Sequence, residues 1–376
     1  MELDFFNPRS IICFIAILQG LIFAAIILQR FFRARQKADA WLAILLLVLC
    51  SALITPFIGF ANVYDLNQWL TYFPFSIAYS YGVLVWLYTV YLTDSERKIA
   101  VKDLLLFAPT VIYLLFRFFL FSHDLTWKDW FGANYYPLFN SFVFITEFAW
   151  NVCFLYFSIR HYRKYRTWLD ENYSDTEKIK FDWLRNFFYV FTAVIIIGGV
   201  FDFTNNFIFK LSYIQYFYFE IVLSVLTYYL AVAGFLRSQT IKPHFNEAKS
   251  AETEERKTLL PEKDVEKLKI KLLDLMENDK IYLEPNLTLT DLSRQIGVNS
   301  TVLSYTINNG FGKNFNDFVN EFRIKEVKGK LADADDSTLL GIAFDCGFNS
   351  KATFNRAFKK FTGVSPKEFQ GNLPAI

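Results

Sequence analysis

The chain has 376 residues, enough for two or three domains by length alone, and its formal net charge of +2 points to neither an acidic nor a basic partner. It is 53% hydrophobic, with 44 Phe and 21 Tyr, far more apolar mass than a soluble core of this size uses. Cys13, Cys50, Cys153 and Cys346 share no close spacing and His123, His161 and His244 are scattered, so no disulfide framework, metal site or cofactor is indicated, and no set of catalytic groups marks an enzyme.

From Ser10 to Leu236 long apolar runs alternate with short polar ones. Seven have membrane-spanning length, at about residues 10 to 29, 41 to 60, 69 to 92, 103 to 122, 138 to 159, 187 to 209 and 213 to 236. A water-soluble bundle would need polar stripes, and runs such as WLAILLLVLCSALI have none. The first run is too long, and too closely followed by others, to be a cleaved signal peptide. Cations crowd alternate connections: Arg30, Arg33, Arg35 and Lys37, then Arg97, Lys98 and Lys102, then Arg160, Arg163, Lys164, Arg166, Lys178, Lys180 and Arg185. The opposite connections carry Arg9, Lys128 and Lys210 alone, so the positive-inside rule places the N-terminus outside and the C-terminus in the cytoplasm.

Four ionisable residues interrupt the later spans: Arg117, Glu147, Asp202 and Glu220. A charge near the bilayer centre costs about 2.5 to 3.5 kcal/mol on insertion scales, so each needs a reason to be there. All four fall in the outer half of their spans. One reading is a shared outward-facing pocket for a cationic or amphipathic signal, with Trp150, Tyr213, Tyr216 and Tyr218 as aromatic lining. The other is structural: Arg117 pairs with one acid to lock the bundle and the remaining acids sit in interfacial water. Gly198 and Gly199 permit close helix packing or a bend.

Beyond Leu236 the composition turns charged and poor in large apolar residues (SQTIKPHFNEAKSAETEERKT), which reads as a cytoplasmic linker over 237–260 with a break at Pro243. The remaining segment, 261–376, balances 16 Lys or Arg with 16 Asp or Glu. It opens with an amphipathic helix whose stripe is Val265, Leu268, Leu272, Leu273 and Leu275.

An internal repeat organises this last region. Residues 347 to 369, GFNSKATFNRAFKKFTGVSPKEF, encode a helix capped by Asn349 or Ser350, an apolar stripe through Phe354, Ala357, Phe358 and Phe361, a stop at Gly363, and a capping box from Ser365 to Glu368. Residues 297 to 318, GVNSTVLSYTINNGFGKNFNDF, repeat that grammar: Gly297 matches Gly347, and after one extra residue Leu303, Ile307 and Gly312 match Phe354, Phe358 and Gly363. Each copy follows a short helical pattern ending in glycine, TDLSRQIG and LLGIAFDCG, so each unit reads helix, tight turn, helix.

At these residues, roughly 262 to 370, the chain resembles the DNA-binding domain of the AraC/XylS transcription regulators. The match runs through Gly347, Phe348, Ser350, Phe354, Arg356, Phe358, Gly363, Ser365, Pro366 and Phe369. The resemblance implies two helix-turn-helix units joined by a long helix, here Asn316 to Leu331. It also implies that the second helix of each unit enters the major groove: Ser300, Thr301, Ser304 and Tyr305 in the first, Lys351, Ala352, Asn355, Arg356 and Lys359 in the second. Family members often carry Arg or Lys in the first reading helix, and this chain has neither. Local cations gather at Arg323, Lys325, Lys328 and Lys330 on the joining helix, and at Lys351, Arg356, Lys359, Lys360 and Lys367 on the second unit. The end of the third span, YGVLVWLYTVYLT, also resembles a segment of membrane sensor regions that precede AraC-type domains, with Val83 where those have proline.

The expected architecture is therefore all-α: a seven-helix transmembrane bundle over 1–236, then a cytoplasmic DNA-binding domain with two helix-turn-helix units over 261–376. The expected function is a membrane-bound, one-component transcription regulator of a bacterial inner membrane. Its partners would be double-stranded DNA, membrane lipid, a signal molecule or membrane protein, and a second copy of itself. A transporter or channel with a regulatory DNA-binding tail is the alternative.

Overall fold

A computed structural model describes residues 4–5, 7–236, 244–245, 262–332 and 338–371, and the described residues form helices and turns with no strand. The expected linker lies almost wholly outside them. The chain divides into two compact units: 1–162 with 182–238, and 163–181 with 239–376. The segment 163–181, which by sequence order falls inside the apolar region, thus belongs to the second unit.

In the first unit the principal helices are α1 (Pro8–Ala34), α2 (Lys37–Phe60), α3 (Tyr81–Thr93), α4 (Ala108–Phe121), α5 (Leu125–Asn134), α6 (Tyr136–Asn172, whose residues beyond 162 belong to the second unit), α7 (Asp182–Phe203) and α8 (Tyr213–Leu236). Among the described residues five helices are long and apolar enough to cross a membrane: α1, α2, α6, α7 with the π-turn Thr204–Ile208 that extends it, and α8. The other two expected spans are shorter. Helix α3 has 13 residues and α4 has 14, about 20 Å at 1.5 Å per residue against a hydrocarbon core of about 30 Å.

Local chemistry explains both. Ahead of α3, Pro74 cannot donate in a helical ladder and both Tyr72 (φ 70°) and Tyr79 (φ 65°) adopt left-handed backbone, so helix starts only at Tyr81. The fourth run divides at Phe107 into Val101–Leu105 and α4, which carries Pro109 in its first turn. Average hydropathy registers neither interruption.

Small residues and a few polar pairs hold these helices. A Cβ on Gly20 of α1 would stand 2.4 Å from Cys50 Sγ of α2, so that crossing requires the missing side chain. Asp39 of α2, fully buried, takes both Nε (2.9 Å) and Nη2 (2.8 Å) of Arg30, whose Nη2 also donates to the Gly234 carbonyl oxygen of α8 at 3.0 Å. One guanidinium thus ties three helices together. Outward, Ile15, Leu115, Phe142 and Val225 are exposed, apolar surface of the kind that lipid or another protein covers.

The second unit contains α9 (Glu262–Glu277), α10 (Leu289–Ile296), α11 (Ser300–Phe311), α12 (Phe315–Ala332), α13 (Leu339–Asp345), α14 (Lys351–Thr362) and α15 (Pro366–Gly371). Two apolar cores share α12. Its first half gives Phe315, Phe318 and Val319 to a core with Leu272, Leu292, Leu303 and Ile307; its second half gives Ile324, Val327 and Leu331 to a core with Ile342, Phe348, Phe354 and Phe358. Helix α9 packs on the first core through Leu268, Leu272 and Leu275 of its expected stripe and through Met276, which the stripe did not include, while Val265 and Leu273 are not part of that core.

Candidate nucleic-acid interface and cavity

The repeated grammar is visible in the helix ends. Gly297 (φ 78°), Gly312 (φ 65°), Gly347 (φ 88°) and Gly363 (φ 81°) all take the left-handed conformation that stops a helix or turns the chain. Helix α11 is capped by Asn299, whose Oδ1 accepts from Thr301 N, whereas α14 is capped by Ser350, whose Oγ accepts from Thr353 N. This shift of cap by one position accounts for the one-residue slip between the copies. Asn349 is released to donate to the Pro285 carbonyl oxygen (2.7 Å) and Asn286 Oδ1 (2.9 Å), bridging the two helix pairs. The Ser365 and Glu368 capping box forms, and its backbone N–H bond to Glu368 holds that exposed carboxyl below its usual range.

On α14, Lys351, Ala352, Asn355, Arg356 and Lys359 form one exposed face, while Thr353, Phe354, Ala357 and Phe358 turn inward. On α11 the corresponding face is weaker. Ser300, Thr301 and Tyr305 are half-buried, Ser300 Oγ lies 2.9 Å from Ser293 Oγ, and Ser304 is only 6% exposed. Ser304 is therefore a packing residue, because its position faces the core one turn before Ile307. Lys325 and Lys328 of α12 are exposed, but Arg323 is not: it is fully buried, and burial pushes its guanidinium down to about 10. It belongs to the fold and not to a phosphate-binding surface.

In the first unit, Glu147 of α6, Asp202 of α7 and Glu220 of α8 line one cavity of about 480 Å³, together with Tyr81, Asn151 and Tyr216. The Tyr216 hydroxyl donates to Asp202, Asn151 Oδ1 accepts from Gly82 N at 2.9 Å, and Glu147 Oε1 accepts from Tyr79 N at 3.4 Å. Among the described lining residues none is Lys, Arg or His. Asp202 sits in the last turn of α7 before the π-turn, a local widening that often marks sites where a helix must admit something. Gly199 faces Phe148, and Gly198 faces Phe219, at distances a methyl group would not tolerate.

Arg117 does not join the three acids. It lines a separate cavity of about 420 Å³ with Tyr64, Asp65, Gln68, Tyr72 and Tyr136, and its guanidinium lies 5.6 Å from the Tyr72 ring centre. The four ionisable residues thus fall into two sites. Of the expected aromatics, Tyr216 lines the acidic cavity; Tyr213 instead donates to the Thr55 (3.3 Å) and Pro56 (3.2 Å) carbonyl oxygens, and Tyr218 is exposed.

Sequence reasoning missed one group altogether. Asp175 accepts from the Thr353 hydroxyl at 3.0 Å and Glu177 takes the Arg356 guanidinium. The available signal was the SDTE stretch, two acids set inside the most basic connection of the chain.

Comparison with known proteins bears on the second unit. A helix-turn-helix domain family matches residues 292–372. Uncharacterized HTH-type transcriptional regulators of Staphylococcus aureus, from strains COL and N315 among others, are 36% identical over 97 residues, which is 26% of this chain and 13% of theirs. The chain therefore spans a small part of the length of the curated relatives it matches. The solved structure of a protein of unknown function from Listeria innocua is 27% identical, covering 27% of this chain and 92% of that one, with a TM-score of 0.25. The C-terminal part of the chain thus carries a helix-turn-helix domain of the AraC type, similar to those of transcription regulators.

Proposed function

We propose that the protein is a membrane-integral, one-component transcription regulator, and not an enzyme. Seven crossings would be made by α1, α2, α6, α7 and α8 with α3 and α4 completed by their flanking turns, and the cation distribution would put the N-terminus outside. The C-terminal region would lie in the cytoplasm and hold double-stranded DNA through two helix-turn-helix units. Helix α14 would supply most of the contact, with Arg356 and Asn355 at base edges or phosphates and Lys351 and Lys359 at phosphates. The acidic cavity would receive the signal, a cationic or amphipathic molecule whose charge offsets the three carboxylates.

The observation that carries this reading is the union in one chain of five helices fit to cross a membrane with a helix-turn-helix domain. A topology test separates it from other arrangements. Fluorescent protein fused at the C-terminus should fluoresce, and alkaline phosphatase fused ahead of α1 should be active only outside the cytoplasm. An external C-terminus would overturn the proposal, because DNA would be out of reach.

A further inference from the structure

The connection between α6 and α7 is built into the same compact unit as the helix-turn-helix region. Ser174 is fully buried. Its N–H (3.2 Å) and its hydroxyl (2.7 Å) both donate to the Leu287 carbonyl oxygen. Its own carbonyl oxygen accepts from Asn316 (2.9 Å) and Asn320 (3.3 Å), and its Oγ accepts from Arg323 Nη2 (3.3 Å). So anchored, the chain delivers Asp175 to the Thr353 hydroxyl and Glu177 to the Arg356 guanidinium. Thr353 and Arg356 are one turn apart on α14.

We propose that residues 174–177 form an acidic arm that competes with DNA for Arg356, so that the domain engages DNA fully only when the arm withdraws. The proposal rests on α14 being the DNA-reading helix. The Nη2 group that holds the Glu177 carboxylate is a donor that a phosphate or a guanine edge would also take, so the two occupants compete for it. A second carboxylate, Asp175, adds repulsion toward the phosphate chain. Lys360 of α14 is already held by both oxygens of Asp317 at 2.6 Å. Lys351 and Lys359 remain exposed, a reduced electrostatic footprint suited to weak, sequence-independent contact.

The arm is also placed to be moved. It lies in the short connection between the end of α6 at Asn172 and the start of α7 at Asp182, the helices that supply Glu147 and Asp202 to the acidic cavity. A ligand that changes the separation or rotation of those two helices pulls on both ends of the arm. If the arm occludes nine molecules in ten, apparent DNA affinity falls about tenfold, and its release restores it.

The test uses the full-length protein in lipid nanodiscs and a duplex selected from a random pool by the Glu177→Gln protein. Glu177→Gln should bind that duplex at least about threefold more tightly than wild type at the same salt. Asn316→Ala, which loosens the Ser174 anchor without altering charge, should tighten binding likewise, a gain that simple charge repulsion would not give. Added duplex should also speed amide hydrogen exchange across 173–178 in the wild-type protein. Equal affinities of wild type and both variants, or exchange in the arm that duplex leaves unchanged or slows, would overturn the arm while leaving DNA binding intact. Failure of every version to bind any duplex would overturn both the arm and the DNA-reading role of α14.

Discussion

Arg323 donates through Nε to the Tyr282 carbonyl oxygen at 2.7 Å from a fully buried position, joining the middle of α12 to the turn ahead of α10. Its Nη2 reaches the Glu284 carbonyl oxygen at 2.7 Å, and the Phe348 ring lies 5.7 Å from its carbon Cζ. Arg323→Ala strands the buried Tyr282 carbonyl oxygen, removes the bond to Glu284 and leaves a void, so it should destabilise the second unit by about 3 kcal/mol. Lys325→Ala, one exposed step away, should stay within about 0.5 kcal/mol. Hydrogen exchange of the slowest amides in α12, measured in detergent, checks both.

Gly347 makes that arrangement possible. A Cβ there would stand 2.6 Å from the Tyr282 carbonyl oxygen and 2.8 Å from that of Leu283, and the backbone is left-handed besides. Gly347→Ala should therefore cost about 3 kcal/mol, while Gly297→Ala, left-handed but facing open space, should cost about 1 kcal/mol. Similar losses at the two sites would contradict the close approach. The same exchange measurement reports both.

Much of this was legible in the sequence and some was not. Caps and glycines at Ser365, Glu368, Gly312 and Gly363 were readable because their chemistry is local, set by residues within a turn. Arg323 was misread as surface charge because its partners, Tyr282 and Glu284, lie some forty positions away, and a lone cation on a helix looks the same whether it faces water or carbonyls. Arg117 was grouped with Glu147, Asp202 and Glu220 because position along a span says little about rotation around it. The arm at Ser174 was invisible for a related reason: it touches α14 only through tertiary structure.

Glu326 gives the second unit a pH signature. Although burial pushes its carboxyl up, the bonds from Lys280 Nζ (3.1 Å) and the Tyr282 hydroxyl (3.0 Å) hold it below the usual range. A depressed folded value contributes stability that is present above the unfolded value, about 4.3, and lost as pH falls through the folded one. The stability advantage of wild type over Glu326→Gln should shrink as pH is lowered from 6 toward 3, read as the difference in urea midpoint. A constant difference would contradict the pairing.

Neutralising the cavity should change the signal response while sparing insertion. Asp202→Asn and Glu220→Gln proteins should reach the membrane in normal amount, yet reporter transcription from the protein's own targets should no longer follow the stimulus. Unchanged responses in both would rule out the cavity as the signal site.

Arg356→Ala distinguishes two kinds of DNA contact. Loss of a base contact should cost about 1 to 3 kcal/mol and relax preference at one position, whereas loss of a phosphate contact should weaken all sequences alike and lower the salt slope by about one. Binding of the full-length protein to a randomised duplex library, sequenced before and after selection, gives the answer directly.

A regulator of the proposed kind must bind particular sites on DNA while still embedded in the membrane. Chromatin pull-down from living cells through a tag at the N-terminus, ahead of α1, tests it most directly, because recovery then requires the spans to accompany the bound domain. A discrete set of enriched DNA sites is expected, with a recovered band no smaller than the 44.1 kDa of this chain. Uniform recovery of the chromosome with no enriched site would contradict it.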